Sequence, residues 1–259
     1  MFAWCQRWRN RTKSLMKDVR EIRNDVQKIV CLQGLDENKI FRFPMLGEEV
    51  QLYLPYAGFD LIQKNILTTA DFSEGELLRY VRRMYFTGDR CKVLDIGGNL
   101  GNHAVFFAKF CNAAVTTFEP QSVIYKILRK NIELNAPDIV SYNMALGECE
   151  GVASIKEYDT SNTGGTRIEE ASYGDIKMNS LDSFGYSGID FIKIDVEGFE
   201  SKVLKGGRET IINSKPVLWL EVFPENKKDV WAILTEFGYS FKEQLAEHDY
   251  IFLPNRSFC

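Results

Sequence analysis

The chain has 259 residues, 45% hydrophobic and 26% charged, which is enough for one sizeable core. No run approaches the roughly 18 consecutive apolar residues of a membrane span, and charges sit where a signal peptide needs its apolar centre, so the expected location is the cytoplasm. The net charge is −4, yet residues 1–30 carry eight Lys/Arg against three Asp/Glu, which leaves an acidic body lacking the basic groove that nucleic acid demands.

The N-terminal stretch, residues 1–37, reads as a basic amphipathic helix. Leu15, Val19, Ile22, Val26 and Ile29 alternate spacings of four and three, a short heptad seam that either pairs two chains as a homodimer or packs on the protein's own body. Phe2, Trp4 and Trp8 interleave with Arg7, Arg9 and Arg11, a pattern compatible with contact at a membrane surface.

Residues 38–91 form a second region leading into the core. Phe41-Arg42-Phe43 and Val50-Gln51-Leu52-Tyr53-Leu54 alternate around Gly47 and predict a hairpin. A helix is expected over 73–86, with Ser73 as N-cap and Glu76 as its capping-box partner.

From Lys92 to the end, residues 92–259, strands and helices alternate as in a doubly wound, mostly parallel α/β sheet. Strands are expected near 92–97, 114–119, 139–144, 189–195, 216–222, 239–244 and 249–253, and helices near 101–110, 122–135, 199–213 and 227–237. Residues 147–181, punctuated by Gly147, Gly151, Gly164, Gly165 and Gly174, read as an insertion holding a further hairpin. The six cysteines include no C-x-x-C pair and read as reduced structural thiols.

The first strand of that unit, Val93-Leu94-Asp95-Ile96, runs into the turn Gly97-Gly98-Asn99-Leu100-Gly101 and then an apolar helix, where open α/β sheets bind nucleotide-like ligands. A dinucleotide needs glycine where the chain has Asn99, so pyrophosphate is disfavoured. S-adenosyl-L-methionine has no phosphate, and its zwitterionic end suits Asp95 and the turn, while Glu119 at the second strand's end suits the ribose hydroxyls. Contacts are therefore expected from Asp95, Gly97, Asn99, Gly101, Asn102, Glu119 and Pro120, with Asn143 and Ala145 beside the adenine.

The fourth strand ends in Lys193-Ile194-Asp195-Val196-Glu197-Gly198 and the fifth in Leu220-Glu221, which brings three carboxylates to one edge. Asp195 or Glu197 is the expected general base, with Glu221 orienting or replacing it and Lys193 as charge partner; alternatively Asp195, Glu197 and Glu221 hold Mg²⁺. Glu200 reads as favouring a helix N-terminus, and His103 and His248 as mainly structural.

With these segments in order, the chain resembles the FkbM family of methyltransferases. The likeness covers about Lys92 to Pro254 and rests on DIGGNLGNHAVFFA, FEP, NMALG, NTGG, NSLDSF, FIKIDVEGFESKVLKGG and PVLWLEV. It implies a class I adenosylmethionine-binding fold, Rossmann-like in outline, and O-methylation of sugars or other small hydroxylated metabolites in polysaccharide or natural-product pathways. Gly98 departs from the alanine more usual in the family. A methyltransferase acting on amide or nucleobase nitrogen would carry an Asn/Asp-Pro-Pro-aromatic motif where this chain has Asp195-Val196-Glu197-Gly198, which favours oxygen and leaves small amines open. The rival readings are a nicotinamide oxidoreductase and a noncatalytic assembly module that keeps the cofactor fold.

Overall fold

The computed structural model describes residues 34–157 and 162–255. The heptad seam and the Trp/Arg tip lie outside the described residues.

A short hairpin opens the described chain. β1 (Ile40–Met45) pairs antiparallel with β2 (Glu48–Tyr53), and Gly47 turns between them at φ +86°. Two helices follow, α1 (Leu61–Thr69) and α2 (Gly75–Tyr85). The core then begins with β3 (Cys91–Ile96), α3 (Asn102–Phe110), β4 (Ala113–Phe118), α4 (Ser122–Asn135) and β5 (Val140–Tyr142). Next come four short strands: β6 (Ala145–Leu146), β7 (Gly151–Glu157), β8 (Arg167–Ala171) and β9 (Ile176–Asn179). The chain closes with β10 (Phe191–Ile194), α5 (Glu200–Gly206), α6 (Arg208–Ser214), β11 (Val217–Glu221), α7 (Lys227–Glu236), β12 (Tyr239–Gln244) and β13 (Asp249–Pro254).

The seven-stranded sheet has the order β12-β13-β11-β10-β3-β4-β5, with β13 antiparallel to both neighbours and β5 through β11 parallel. This is the class I methyltransferase order, and all seven strands fall where the apolar runs predict. Its central strands are buried on both faces, so they read as continuous runs: every residue of β10 is buried. Strand parity divides the packing. Val93, Phe191, Trp219 and Ile251 face α3, α4 and the hairpin layer, whereas Leu94, Ile192, Leu218 and Phe252 face α5, α6 and α7.

The insertion forms a second sheet of four strands, β6-β9-β7-β8, in which β7 and β8 are the expected hairpin. Two local expectations need correction. The helix over 199–213 is broken into α5 and α6 at Gly206-Gly207, where a Cβ on Gly206 would stand 1.9 Å from the Gly147 carbonyl oxygen. The helix over 73–86 starts at Gly75 without the Ser73/Glu76 box, because the Ser73 backbone is engaged elsewhere: its N–H donates to Asn102 Oδ1 at 3.0 Å and its carbonyl accepts from Asn102 Nδ2 at 2.9 Å.

The hairpin docks through two amides one helical turn apart. Asn135 accepts from the Gln51 N–H at 3.0 Å and donates to its carbonyl at 2.6 Å, and Asn131 accepts from the Tyr53 N–H at 2.6 Å. Residues 51 and 53 present their backbone groups on the same edge of β2, so the pair of asparagines replaces a neighbouring strand. Asn131, fully buried, also donates to the Leu100 carbonyl at 2.8 Å, which ties the glycine turn to the same anchor. Replacing Asn131 by Ala leaves buried backbone groups unpaired and is expected to cost about 1–3 kcal/mol, measured by urea denaturation.

Candidate active site

A cavity of about 490 Å³ lies at the carboxyl ends of β3, β4, β10 and β11, roofed by α1 and the insertion. Its floor is the turn after β3. Gly97, at φ +86°, has the Asp195 carbonyl oxygen 1.7 Å from where a Cβ would stand, so only glycine fits. A Cβ on Gly98 would meet Thr117 Oγ1 at 2.1 Å, and that hydroxyl donates to Asp95 Oδ2 at 3.2 Å. Asn99 takes a left-handed φ of +47°, which aims its N–H at Glu119 Oε2, 2.9 Å away. The other Glu119 oxygen accepts from the Gln121 N–H at 2.8 Å. Burial pushes the Glu119 carboxyl up to about 7, against those two hydrogen bonds, which favour its charge.

Of the residues expected to meet the cofactor, Gly97, Asn99, Asn102, Glu119, Pro120 and Ala145 line this cavity, and Asp95, Gly101 and Asn143 do not. Asp95 is fully buried behind the turn. Gly101, at φ +86°, turns the chain into α3. Asn143 braces the loop after β4 from behind: its amide donates to the Glu119 and Pro120 carbonyls at 2.9 and 3.1 Å and accepts from Ser122 at 3.0 Å. Asn102 reaches the cavity, but its amide is spent on Ser73.

The roof is bolted by a residue that sequence reading did not single out. Asp60, fully buried, caps α1 by accepting from the Gln63 N–H at 2.9 Å. Its other oxygen accepts from the Thr163 N–H and hydroxyl at 2.9 and 2.7 Å. Ile62 and Asn65 of α1 and Asn162, Gly164 and Thr166 of the insertion thereby face the cavity together, and Gln121 closes the seam with a bond to the Thr163 carbonyl at 3.1 Å.

At the opposite end the acids gather. Lys193 is 2% exposed, and its Nζ meets Asp195 Oδ2 at 2.7 Å. Burial opposes charge on both groups, and their attraction overcomes it: Asp195 stays below the usual carboxylate range and Lys193 stays a cation. Burial, then the neighbouring Asp195 charge, pushes Glu221 strongly up, so it holds a proton and donates it toward Asp195. Glu197 sits at φ +53°, a left-handed conformation uncommon for a side-chain-bearing residue; burial, then Asp195, raises it to about 7. One oxygen each of Asp195, Glu197 and Glu221 falls within 4.8 Å of the others. Glu200 instead braces the turn, accepting from the Gly198 N–H at 2.7 Å and from Asn226 at 3.2 Å.

The two histidines separate. His103 lines the cavity, 3.1 Å from Glu74 Oε2 and 5.5 Å from the Trp219 ring, whereas His248 packs at a tilt against Phe223 and does not line it. Behind the site, the Trp219 indole donates to buried Asp249 at 2.7 Å.

Residues 95–241 match the Methyltransferase FkbM domain. The chain belongs to the FkbM methyltransferase family. A hexuronic acid methyltransferase, AglP, of Haloferax volcanii is 26% identical over 166 residues, covering 62% of this chain and 69% of that one. Among solved structures, methyltransferase FkbM of Methylobacillus flagellatus KT is 17% identical with a TM-score of 0.47; the match covers 90% of this chain and 59% of the other, so this chain spans under two thirds of that relative. A ribosomal protein L11 methylase of Lactobacillus delbrueckii is 11% identical with a TM-score of 0.49, covering 70% of this chain and 78% of the other.

This FkbM methyltransferase therefore takes its methyl group from S-adenosylmethionine, and its cavity fits that donor. Asn99 Oδ1 is buried without a partner at the turn, and a carboxylate stands at the end of β4, both suited to a ligand rich in O–H and N–H donors and free of phosphate. Among the described residues, no helix is long and apolar enough to cross a membrane.

The charge state of the acidic end depends on Lys193. Replacing it with Met leaves Asp195 without its cation and is expected to destabilise the FkbM fold by about 3 kcal/mol, the low end for a broken buried pair, because Asp195 keeps 27% of its side-chain surface exposed. Chemical denaturation of the two proteins side by side measures it.

Proposed function

We propose that the protein is an O-methyltransferase whose acceptor is a hydroxyl of a sugar. The observation that carries this reading is the set of three carboxylates at the β10 and β11 ends, on the same cavity as the glycine turn and Glu119. The name of the Haloferax volcanii relative points to a sugar acid as that protein's substrate and supports a sugar-type acceptor here.

When bound, the donor supplies an electrophilic methyl group. Glu119 and the Asn99 turn would hold its ribose, with Met144, Ala145 and Leu146 against the adenine, and Asp195, Glu197 and Glu221 would serve the methyl transfer. Those three divide the work by protonation state. Asp195, ionised and clamped by Lys193, accepts a hydrogen bond and fixes orientation; Glu221, protonated, serves Asp195; and Glu197 is poised near neutrality to take the acceptor's proton. Lys193 and the proton on Glu221 offset two of the three carboxylates, and this reading needs no metal ion.

Two tests follow. Glu119→Ala removes the ribose partner and is expected to weaken adenosylmethionine binding about tenfold to a hundredfold in calorimetry; unchanged affinity in the folded variant contradicts the placement. Glu197→Gln is expected to slow methyl transfer by about 10² to 10⁴ while leaving donor affinity intact. Because Glu197 must be unprotonated to act, the wild-type rate should fall as the pH drops through about 7, and the variant should lose that limb. Transfer of labelled methyl to glycans extracted from cells lacking the active protein supplies the assay. A wild-type rate in the variant removes Glu197 from the chemistry.

A further inference from the structure

We infer that Glu74, on the turn ahead of the family domain, is the counter-charge for the ammonium of the donor's amino-acid end. This assignment rests on the adenosylmethionine reading of the cavity and deepens it. The glycine turn of an adenosylmethionine site faces a zwitterion, and the sequence offers Asp95 for the positive half. The structure sets that candidate behind the turn. Asp95 is fully buried and does not line the cavity; one oxygen accepts from Thr117 and the other is buried without a partner.

Glu74 suits the role better because of how it is held. It adopts a left-handed φ of +58°, uncommon for a residue with a side chain, at the start of α2. The conformation is enforced on both sides. Ser73 is clamped by two hydrogen bonds to Asn102, and Gly75 leaves room for the Asp71 carboxylate, 2.5 Å from where a Cβ would stand. The result carries a carboxylate from outside the FkbM domain to the first turn of α3, directly after the glycine turn, where it lines the same cavity. Its neighbour His103 stands 3.1 Å away, and burial notwithstanding, that contact keeps Glu74 below its ordinary pKa and therefore charged. Lys193, the nearby lysine, is already paired with Asp195, and the Glu74 side chain remains 41% exposed toward the open space. A carboxylate so fixed, facing a cavity and matched by one imidazole, is suited to an ammonium.

The test compares three ligands by calorimetry: adenosylmethionine, its demethylated product adenosylhomocysteine, and methylthioadenosine, which keeps the adenosyl end but lacks the amino acid. In Glu74→Gln the first two should weaken about tenfold to a hundredfold, the loss of a charged hydrogen bond, and methylthioadenosine should bind as in the wild type. Retained methylthioadenosine affinity also shows that the variant is folded. Unchanged affinity for all three overturns the assignment, as does an equal loss for all three, which makes Glu74 structural. Asp95→Asn is the second variant: if it selectively weakens the two amino-acid ligands and Glu74→Gln does not, Asp95 is the counter-charge. Failure of every ligand to bind the wild type overturns the donor reading itself, a result distinct from the others.

Discussion

A lysine buried in the middle strand of a parallel sheet organises this site. Lys193 lies on the face of β10 shared by Asp95 and Trp219, its register partners on β3 and β11. One step along the strands, the same face carries Asp195, Glu221 and Asp249. A cation among so many acids decides which can ionise together. Asp195 is stabilised as an anion by the 2.7 Å contact; that anion then makes a second charge at Glu221 costly, so Glu221 keeps its proton. Burial, then the same anion, raises Glu197 to about 7. Three carboxylates of one chemical type thereby differ in how readily they ionise, an order set by burial, by the Lys193 cation at Asp195 and by the Asp195 anion at the other two.

The cofactor end depends on steric pairs in place of charge. Gly97 admits the Asp195 carbonyl, which joins the floor of the cavity to its acidic end, and Gly98 admits the Thr117 hydroxyl. A methyl group at position 98 would collide with a threonine that is itself bonded to Asp95, so glycine at 98 and threonine at 117 belong together.

The sheet was legible in the sequence because parallel strands buried on both faces are uninterrupted apolar runs, and Phe191-Ile192 and Val217-Leu218 read as strands without knowledge of their neighbours. The turn and the carboxylates were legible because their position at strand ends follows from the fold. What escaped was pairing across distance. α1 is nine residues long, and its cap, Asp60, finds its second partner 103 residues away at Thr163. Asn102 and Asn143 announce hydrogen bonding by type, but nothing local reveals that the first points to Ser73 and the second behind the loop after β4. Glu76 had the spacing of a capping-box partner and Glu74 had no pattern at all, yet a left-handed turn beside Gly75 put Glu74 at the cavity.

Residues ahead of the family domain do more than lead into it. The hairpin, α1 and α2 share one apolar core with α3 and α4, through Phe43, Leu52, Phe72 and Leu78 against Val105, Phe106 and Leu128. That packing is what makes Leu61, Ile62, Asn65, Ser73 and Glu74 walls of the cavity. The turn, Glu119 and the β10 acids come from the domain itself, within residues 95–241, so the catalytic parts sit on sheet ends whose geometry the strand order fixes. The preceding segment is tied to them by side-chain bonds at Asn102, Asn131, Asn135 and Thr163. The cavity's outer wall therefore depends on residues that lie ahead of the matched domain as well as on the domain itself.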